Sequence, residues 1–250
     1  MSPPPTPIFI ISYNRLGVLR RGLASFRRLA RPLEIVIHDN GSTYQPLLDY
    51  YDQLVAEGVR VLRTGKKATQ QDDLNSVADT VAAYFADRAP ANYVVTDPDI
   101  ELDPAGADML DLYDAILAAS AEVDVVGPML RMDDIPDSYP LKGEVVSRHW
   151  HKFWKHRTRR FPWQGGEVKL VKAVVDTTFA LYRAGLPFER LRPAFRSYPP
   201  YWARHLDWYI DPTEMNEDQA NYMETASGVS YWGGPLLRKM IRRQQRDGTI

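Results

Sequence analysis

Between residues 7 and 126, short apolar runs alternate with amphipathic stretches, and this alternation restricts the fold more than any other feature of the chain. Pro7 to Tyr13 contains Ile8-Phe9-Ile10-Ile11, a run too short for a helix and rich in β-branched residues, so it reads as a buried strand. From Leu16 to Leu29 the apolar residues Leu16, Leu19, Leu23, Phe26 and Leu29 recur three or four apart with arginines between them, the period of an amphipathic helix. The pattern then repeats: a strand over Leu33 to Ile37, a helix over Leu47 to Glu57, a short strand over Val59 to Leu62 after Gly58, and a helix over Leu74 to Arg88. A fourth strand starts at Tyr93. Strands separated by helices imply a mostly parallel sheet with helices on both faces. Right-handed crossovers bring the loops after strands one, two and four to one edge. That edge collects Asn14, Asp39, Asp97 and Asp99.

Tyr93 to Val95 leads into Asp97-Pro98-Asp99. Pro98 has no N–H to donate, so a central strand cannot run through it. Two carboxylates are left at a strand's C-terminal edge, where open α/β sheets bind their ligands. Close carboxylates repel unless a cation joins them or one takes a proton. A hard divalent ion, Mn²⁺ or Mg²⁺, with substrate phosphates in its shell is one answer. A polar turn without a ligand is the other.

The second half is less regular. Ala107 to Ala121 reads as a helix and Val123 to Val126 as a strand ending at Gly127-Pro128. Residues 131 to 170 read as loop-rich and basic, and Val171 to Tyr182 as one strand or a hairpin. Residues 196 to 232 look aromatic and irregular, and Leu236 to Arg246 reads as a short basic helix. The chain is expected to form a single α/β domain, with a ligand half over 7–127 and an acceptor half over 128–250.

Composition removes several classes. With no cysteine among 250 residues, disulfides, thiolate metal sites and cysteine nucleophiles are excluded. A formal net charge of −1 gives no global field toward nucleic acid or membrane. The start, Met-Ser-Pro-Pro-Pro-Thr-Pro, lacks the basic and apolar regions of a signal peptide, and no apolar run approaches the ~20 residues of a membrane span. A cytoplasmic protein is the expectation. Neither G-x-G-x-x-G nor a P-loop is present.

Four stretches together resemble the family-2-like, GT-A-fold glycosyltransferases, which use nucleotide-activated sugars: Ser12-Tyr13-Asn14-Arg15, Asp39-Asn40-Gly41-Ser42, Asp97-Pro98-Asp99, and Val175-Asp176-Thr177-Thr178-Phe179-Ala180-Leu181-Tyr182-Arg183. The resemblance runs from residue 7 to about 185. It implies that Ser12, Tyr13 and Asn14 lie near the nucleotide, that Asp39 accepts from a base, typically uracil, and that Asp97 sits by the ribose and metal. Asp99 would bind the metal. The implied reaction is transfer from a nucleotide-diphosphate sugar, taken as a UDP-sugar, to a hydroxyl with inversion. Where the family has a glycine and asparagine pattern, this chain has Thr64-Gly65-Lys66-Lys67-Ala68-Thr69. Lys66 or Lys67 then approaches the diphosphate, or both are solvated loop residues.

The family also uses an acid as the base. Asp207 is the first candidate, Glu217 and Asp218 match the family's acidic pair by letter, and Asp176 is the outsider, being as well suited to bracing a loop. His205 and Asp207 alternate in Pro199-Pro200-Tyr201-Trp202-Ala203-Arg204-His205-Leu206-Asp207, so on an extended segment they share a face. His205 is either the third metal ligand or a packed histidine. Trp150, Trp154, Arg157, Trp202 and Trp208 are candidate acceptor contacts. Arg148 to Arg160 holds six Lys or Arg, three His, three aromatics and no acid. It is a solvated face, or a surface for an anionic acceptor such as a nucleic acid, a lipid phosphate or an acidic glycan. Three readings follow: a transferase acting on a glycan, lipid-linked or small-molecule acceptor; the same chemistry on a hydroxylated base in DNA, which requires the base flipped out; and a non-catalytic nucleic-acid or nucleotide-sugar binding module.

Overall fold

In the computed structural model, residues 4–70, 73, 75–228 and 230–247 are described. The first half folds as its alternation predicts. It runs β1 (Thr6–Ser12), α1 (Leu16–Phe26), β2 (Leu33–Asp39), α2 (Gln45–Ala56), β3 (Arg60–Arg63), α3 (Val77–Phe85) and β4 (Tyr93–Thr96). The expected start of the third helix, Leu74, lies outside the described residues, as does the extreme N-terminus, residues 1–3. After a short β5 (Ile100–Leu102) come α4 (Met109–Ala119), β6 (Val125–Leu130), α5 (Lys142–His149), β7 (Thr158–Trp163), β8 (Gly166–Val174), β9 (Ala180–Tyr182), β10 (Pro193–His205), α6 (Glu217–Thr225) and α7 (Pro235–Arg246).

The strands form one sheet in the order β3-β2-β1-β4-β9-β6-β10-β8-β7, with β5 paired to β10. From β3 to β10 only β9 is reversed, so the central sheet is mostly parallel and the fold is mixed α/β. The alternation of β1 sorts the core. Ile8 and Ile10 pack in one cluster with Leu19, Leu23 and Phe26 of α1 and Leu47 of α2. Phe9 and Ile11 face the other way, toward Val77, Val81 and Tyr84 of α3. Phe9 meets Tyr84 and Tyr93 edge-on at 5.3 and 5.9 Å. Each such side chain, fully buried, contributes about 1.5–3 kcal/mol. No helix among the described residues is long and apolar enough to cross a membrane.

Parallel register aligns the strand ends. Ser12 pairs with Asp39 and Ile10 with Thr96, so the turns after β1, β2 and β4 open on one edge.

The second half departs from expectation in four places. Residues 131 to 170 are structured: α5 continues into a π-helical turn over Trp150–Trp154, followed by the β7–β8 hairpin. Val171 to Tyr182 is neither one strand nor a hairpin. Its ends belong to β8, beside β10, and to β9, between β4 and β6, with 175–179 bridging them. Residues 196 to 205 lie within the thirteen-residue β10 rather than an irregular stretch. The strand after α4 runs through Gly127-Pro128 instead of stopping there. Pro128 sits where β10 shifts register, between Ser197 and Trp202, the kind of irregularity at which a proline enters a sheet. β9 takes its partners from β4 and β6, 55 or more residues earlier, and no local periodicity announces such a pairing. Since β9 and β10 enter the sheet beside β4 and β6, the 7–127 and 128–250 halves share one core.

Candidate active site

The strand ends open into a cavity of about 440 Å³. Ser12, Tyr13, Asn40, Asp97 and Asp99 line it from the first half, joined by Asp176, Thr177, Arg196, His205 and Asp207 from the second. Two strand pairings explain this meeting. β9 runs antiparallel to β4, so the bridge before it stands over Asp97: the Asp97 N–H donates to the Thr177 carbonyl at 2.7 Å, and the Thr177 hydroxyl donates to the Asp97 carboxylate at 2.5 Å. β10 pairs with β5 through His205 and Ile100, which sets His205 beside Asp99.

Helix α1 packs on the Asp97-Pro98-Asp99 turn. Gly22 permits the approach, since a Cβ there would stand 2.7 Å from the Pro98 carbonyl oxygen.

At the centre is Arg15, just before α1. Its Nη1 donates to Asp99 Oδ2 at 2.6 Å and to Asp207 Oδ2 at 3.2 Å, and Nη2 donates to Asp207 Oδ1. Tyr222 of α6 lies under the guanidinium, 4.2 Å from it. Burial opposes the charged guanidinium, but Asp207 and Asp99 outweigh it and hold its pKa above the usual arginine value. Burial also acts on the three carboxyls, and their neighbours separate them. Asp97 is pushed well up by burial and by the charges of Asp99 and Asp176. Asp207 is raised by burial, only partly offset by Arg15. For Asp99 burial is overcome by His205 and Arg15, and its pKa falls.

His205 lies flat on Trp208, ring centroids 5.1 Å apart, with Nδ1 3.6 Å from Asp99 Oδ2. Asp99, His205 and Asp207 each present a ligand atom within 4.8 Å of the others. His205 Nδ1 and Asp99 Oδ1 are buried with no hydrogen-bond partner. Buried polar atoms without partners are rare. Carboxylates and imidazole are both ligand types that divalent cations take. The residues therefore fit a divalent cation.

The structure redistributes the other predicted residues. Asp39 is fully buried and takes no part in the lining; its oxygens accept from the Ser42 N–H at 3.0 Å, the Ser42 hydroxyl and the Tyr51 hydroxyl at 2.9 Å. It braces the turn here, where the family likeness had set it against a base. Asn14 is buried as well. Its side-chain oxygen accepts from the N–H groups of Thr43 and Tyr44 at 2.7 and 3.0 Å, clamping loops at φ +47°. Lys66 is exposed outside the cavity, whereas Lys67 lines it and donates to the Thr225 carbonyl. Glu217 is exposed outside the cavity, and Asp218 accepts from Leu16 and Gly17 N–H at 2.8 Å each. Asp218 thus satisfies the orphan donors of α1. Neither acid lines the cavity. Asp176 is gripped by Arg190, Nε and Nη2 both 2.6 Å from its oxygens, and is part-exposed in the bridge rather than buried in a strand.

None of the five proposed acceptor contacts lines the cavity. Trp150 is exposed on the outer surface, Arg157 is exposed, and Trp154 packs edge-on against Tyr198. Trp202 donates to Asp103, and Trp208 is buried behind His205. Instead Arg148, Lys152, Phe153, Tyr231 and Trp232 form that wall. Arg15 and Arg196 are the functional candidates that sequence reasoning missed. The two acids that hold Arg15 lie 84 and 192 residues away and the partners of Arg196 lie 18 to 68 residues away, and only a basic side chain beside a ligand loop hinted at Arg15.

No family model matches the chain, and no curated relative matches it. Solved structures similar to it include GT-A-type glycosyltransferases. One is the mannosyltransferase PcManGT from Pyrobaculum calidifontis in complex with GDP-Man and Mn²⁺, at 16% identity and a TM-score of 0.37, covering 52% of this chain and 36% of that one. Another is S. aureus TarS 1-349, at 14% identity and 0.42, covering 72% and 47%. A third similar structure is a 4-diphosphocytidyl-2C-methyl-D-erythritol synthase, at 13% identity and 0.39, covering 88% and 97%. The matched region spans less than half of each of the first two chains.

Proposed function

We propose that the protein is a glycosyltransferase that moves a sugar from a nucleotide-diphosphate sugar, with UDP as the nucleotide, to an acceptor hydroxyl. The observation that carries this reading is the convergence of Asp97, Asp99, His205 and Asp207 on one cavity at the C-terminal edge of parallel strands. That edge is where α/β sheets take nucleotides. Ser12, Tyr13 and Lys67 then stand on the nucleotide side, and Asp97 beside the ribose. Asp99 and His205 would hold Mn²⁺. The chemistry such an ion supplies is neutralisation of charge on the departing diphosphate.

Asp207 is the base. In a direct displacement the acceptor oxygen bonds to the anomeric carbon as the bond to phosphate breaks, and the hydroxyl proton passes to an Asp207 carboxylate oxygen, with inversion. Arg15 holds Asp207 and Asp99 in register, so the base is oriented before the acceptor arrives. We place the protein in the cytoplasm, consistent with its lack of cysteine.

The test is calorimetric titration of UDP with Mn²⁺ into wild type and Asp207→Asn, alongside transfer rates. The reading expects Asp207→Asn to keep metal-dependent nucleotide binding and to lose turnover. Loss of both would make Asp207 a ligand of the ion and remove it as the base.

A further inference from the structure

Arg196 is a buried cation whose partners are all neutral. It is 3% exposed and packs against Phe153, 4.5 Å from the ring centroid. Its Nε donates to the Val174 carbonyl at 2.9 Å, and Nη1 donates to the Pro128 carbonyl at 2.7 Å and to the Thr178 hydroxyl at 3.3 Å. Three elements, β6, β8 and the bridge before β9, thus fix the guanidinium on three of its five N–H donors. The Nη2 end remains for the cavity that Arg196 lines. Desolvation pulls its pKa down to about 10 against the opposing pull of Asp176, an acid already held by Arg190. A charge kept in a low-dielectric wall without a counter-charge is costly, and an anion that enters relieves the cost.

Arg196 has company. Arg148 and Lys152 line the same cavity at its exposed rim, and neither forms an ion pair among the described residues. Arg148 rests on Tyr231 and Trp232 at 4.9 and 5.6 Å. Partial burial and the nearby charges of Arg148 and Arg196 lower the pKa of Lys152. A chain of ring contacts links Arg196 to His205: Phe153 under Arg196, His149 5.6 Å from Phe153 and 4.6 Å from Trp208, and Trp208 stacked on His205.

We propose that the acceptor carries a phosphate or carboxylate group, and that Arg196, Arg148 and Lys152 receive it on the second-half wall of the cavity. This rests on the transferase reading above. A planar guanidinium fixed by packing suits a bidentate oxyanion, and Arg148 and Lys152 add flexible charge at the entrance. The acceptor hydroxyl then sits between this anchor and Asp207.

The test titrates inorganic phosphate into the full chain by calorimetry, alone and with saturating UDP and Mn²⁺. Acetate at matched ionic strength is the second probe. Wild type is expected to bind at least one of the two probes, with the nucleotide changing the affinity less than twofold. The double variant R148Q/K152Q, at exposed positions where folding is not at stake, weakens binding at least tenfold, and so does R196K, which keeps the charge but loses the fork. The tighter of phosphate and acetate names the acceptor group. The proposal is overturned if neither binds, if the variants bind as wild type does, or if the nucleotide displaces the probe, which would assign the cations to the donor diphosphate. Probe binding lost in R148Q/K152Q, with no nucleotide bound by any form, would leave the anion site standing and sink the nucleotide-sugar reading. Nucleotide binding without a response to either probe would do the reverse.

Discussion

The wall that carries Ser12, Asp97 and Asp99 comes from parallel strands that end side by side within the first 100 residues. The wall that carries Arg148, Phe153 and Arg196 comes from a helix, its π-helical extension and a long strand spread over residues 142 to 205. The first wall is acidic and the second basic, and Arg15 reaches across from the first to hold Asp207 of the second. A ligand with a diphosphate at one end and an anion at the other would be met by an ion-binding acidic group and by fixed cations respectively.

The largest way to break this contrast is at the acidic wall. Asp99→Asn should lower turnover about 10³-fold, the scale of losing charge stabilisation in a closed site. Asn still offers Arg15 an acceptor, so circular dichroism should show a folded chain; initial rates within tenfold of wild type would remove Asp99 from the chemistry.

Removing the link between the walls comes next. Arg15→Met leaves Asp99 and Asp207 buried without their cation, and breaking such a pair costs about 3–5 kcal/mol. Urea unfolding should show this as a fall in midpoint, and an unchanged midpoint would mean the ion pair does not hold the walls together.

A smaller effect tests how α1 seats the acidic turn. Gly22→Ala forces a Cβ against the Pro98 carbonyl and should cost about 1–3 kcal/mol, with a fall in nucleotide affinity as Asp97 and Asp99 shift. Normal affinity and stability would show that the turn is seated by other contacts.

The basic wall has a pH signature through His149. Burial, despite a hydrogen bond to the Val145 carbonyl, lowers its pKa to about 3, so the folded chain keeps it neutral while the unfolded chain protonates near its usual 6.5. The unfolded state binds more protons between those values, so this stability is present above about pH 6.5 and is lost as pH falls toward 3. The slope is up to about 1.4 kcal/mol per pH unit. His149→Gln should flatten the acid limb of a stability–pH curve by that much; an unchanged limb would mean that His149 titrates alike in both states.

The smallest effect is expected outside both walls. Trp150→Ala, at a residue 52% exposed, should change stability and transfer by no more than about 0.5 kcal/mol. A large loss of acceptor binding would carry the second wall out to this surface.

The contrast between the walls also explains what could be read from the residues. Asp97 and Asp99 were legible because a buried run stops at a proline, a local event. The strand edge that gathers them follows from crossover handedness alone. Asp39 misled because its position at the edge was right and its partners were not visible: Ser42 and Tyr51 consume it. Asp218 was misread for a similar reason, since the helix start it caps lies 201 and 202 residues earlier in the chain. Trp208 was one of the candidate acceptor contacts, and it is buried flat behind the His205 ring. The basic stretch was recognised by composition, yet only Arg148 and Lys152 among its Lys and Arg residues line the cavity, because the helical part ends at Trp154 and the chain then leaves the cavity in a turn and β7. Arg196, within what looked like an irregular aromatic region, gave no sequence signal at all.

The most direct test of the central claim is nucleotide binding at the acidic wall: calorimetric titration of UDP into wild type and Asp99→Ala, each with and without Mn²⁺. Metal-dependent binding in wild type that disappears in the variant is the predicted result. Binding that ignores both the ion and the substitution would contradict the assignment of Asp99, His205 and this cavity to a nucleotide-sugar site.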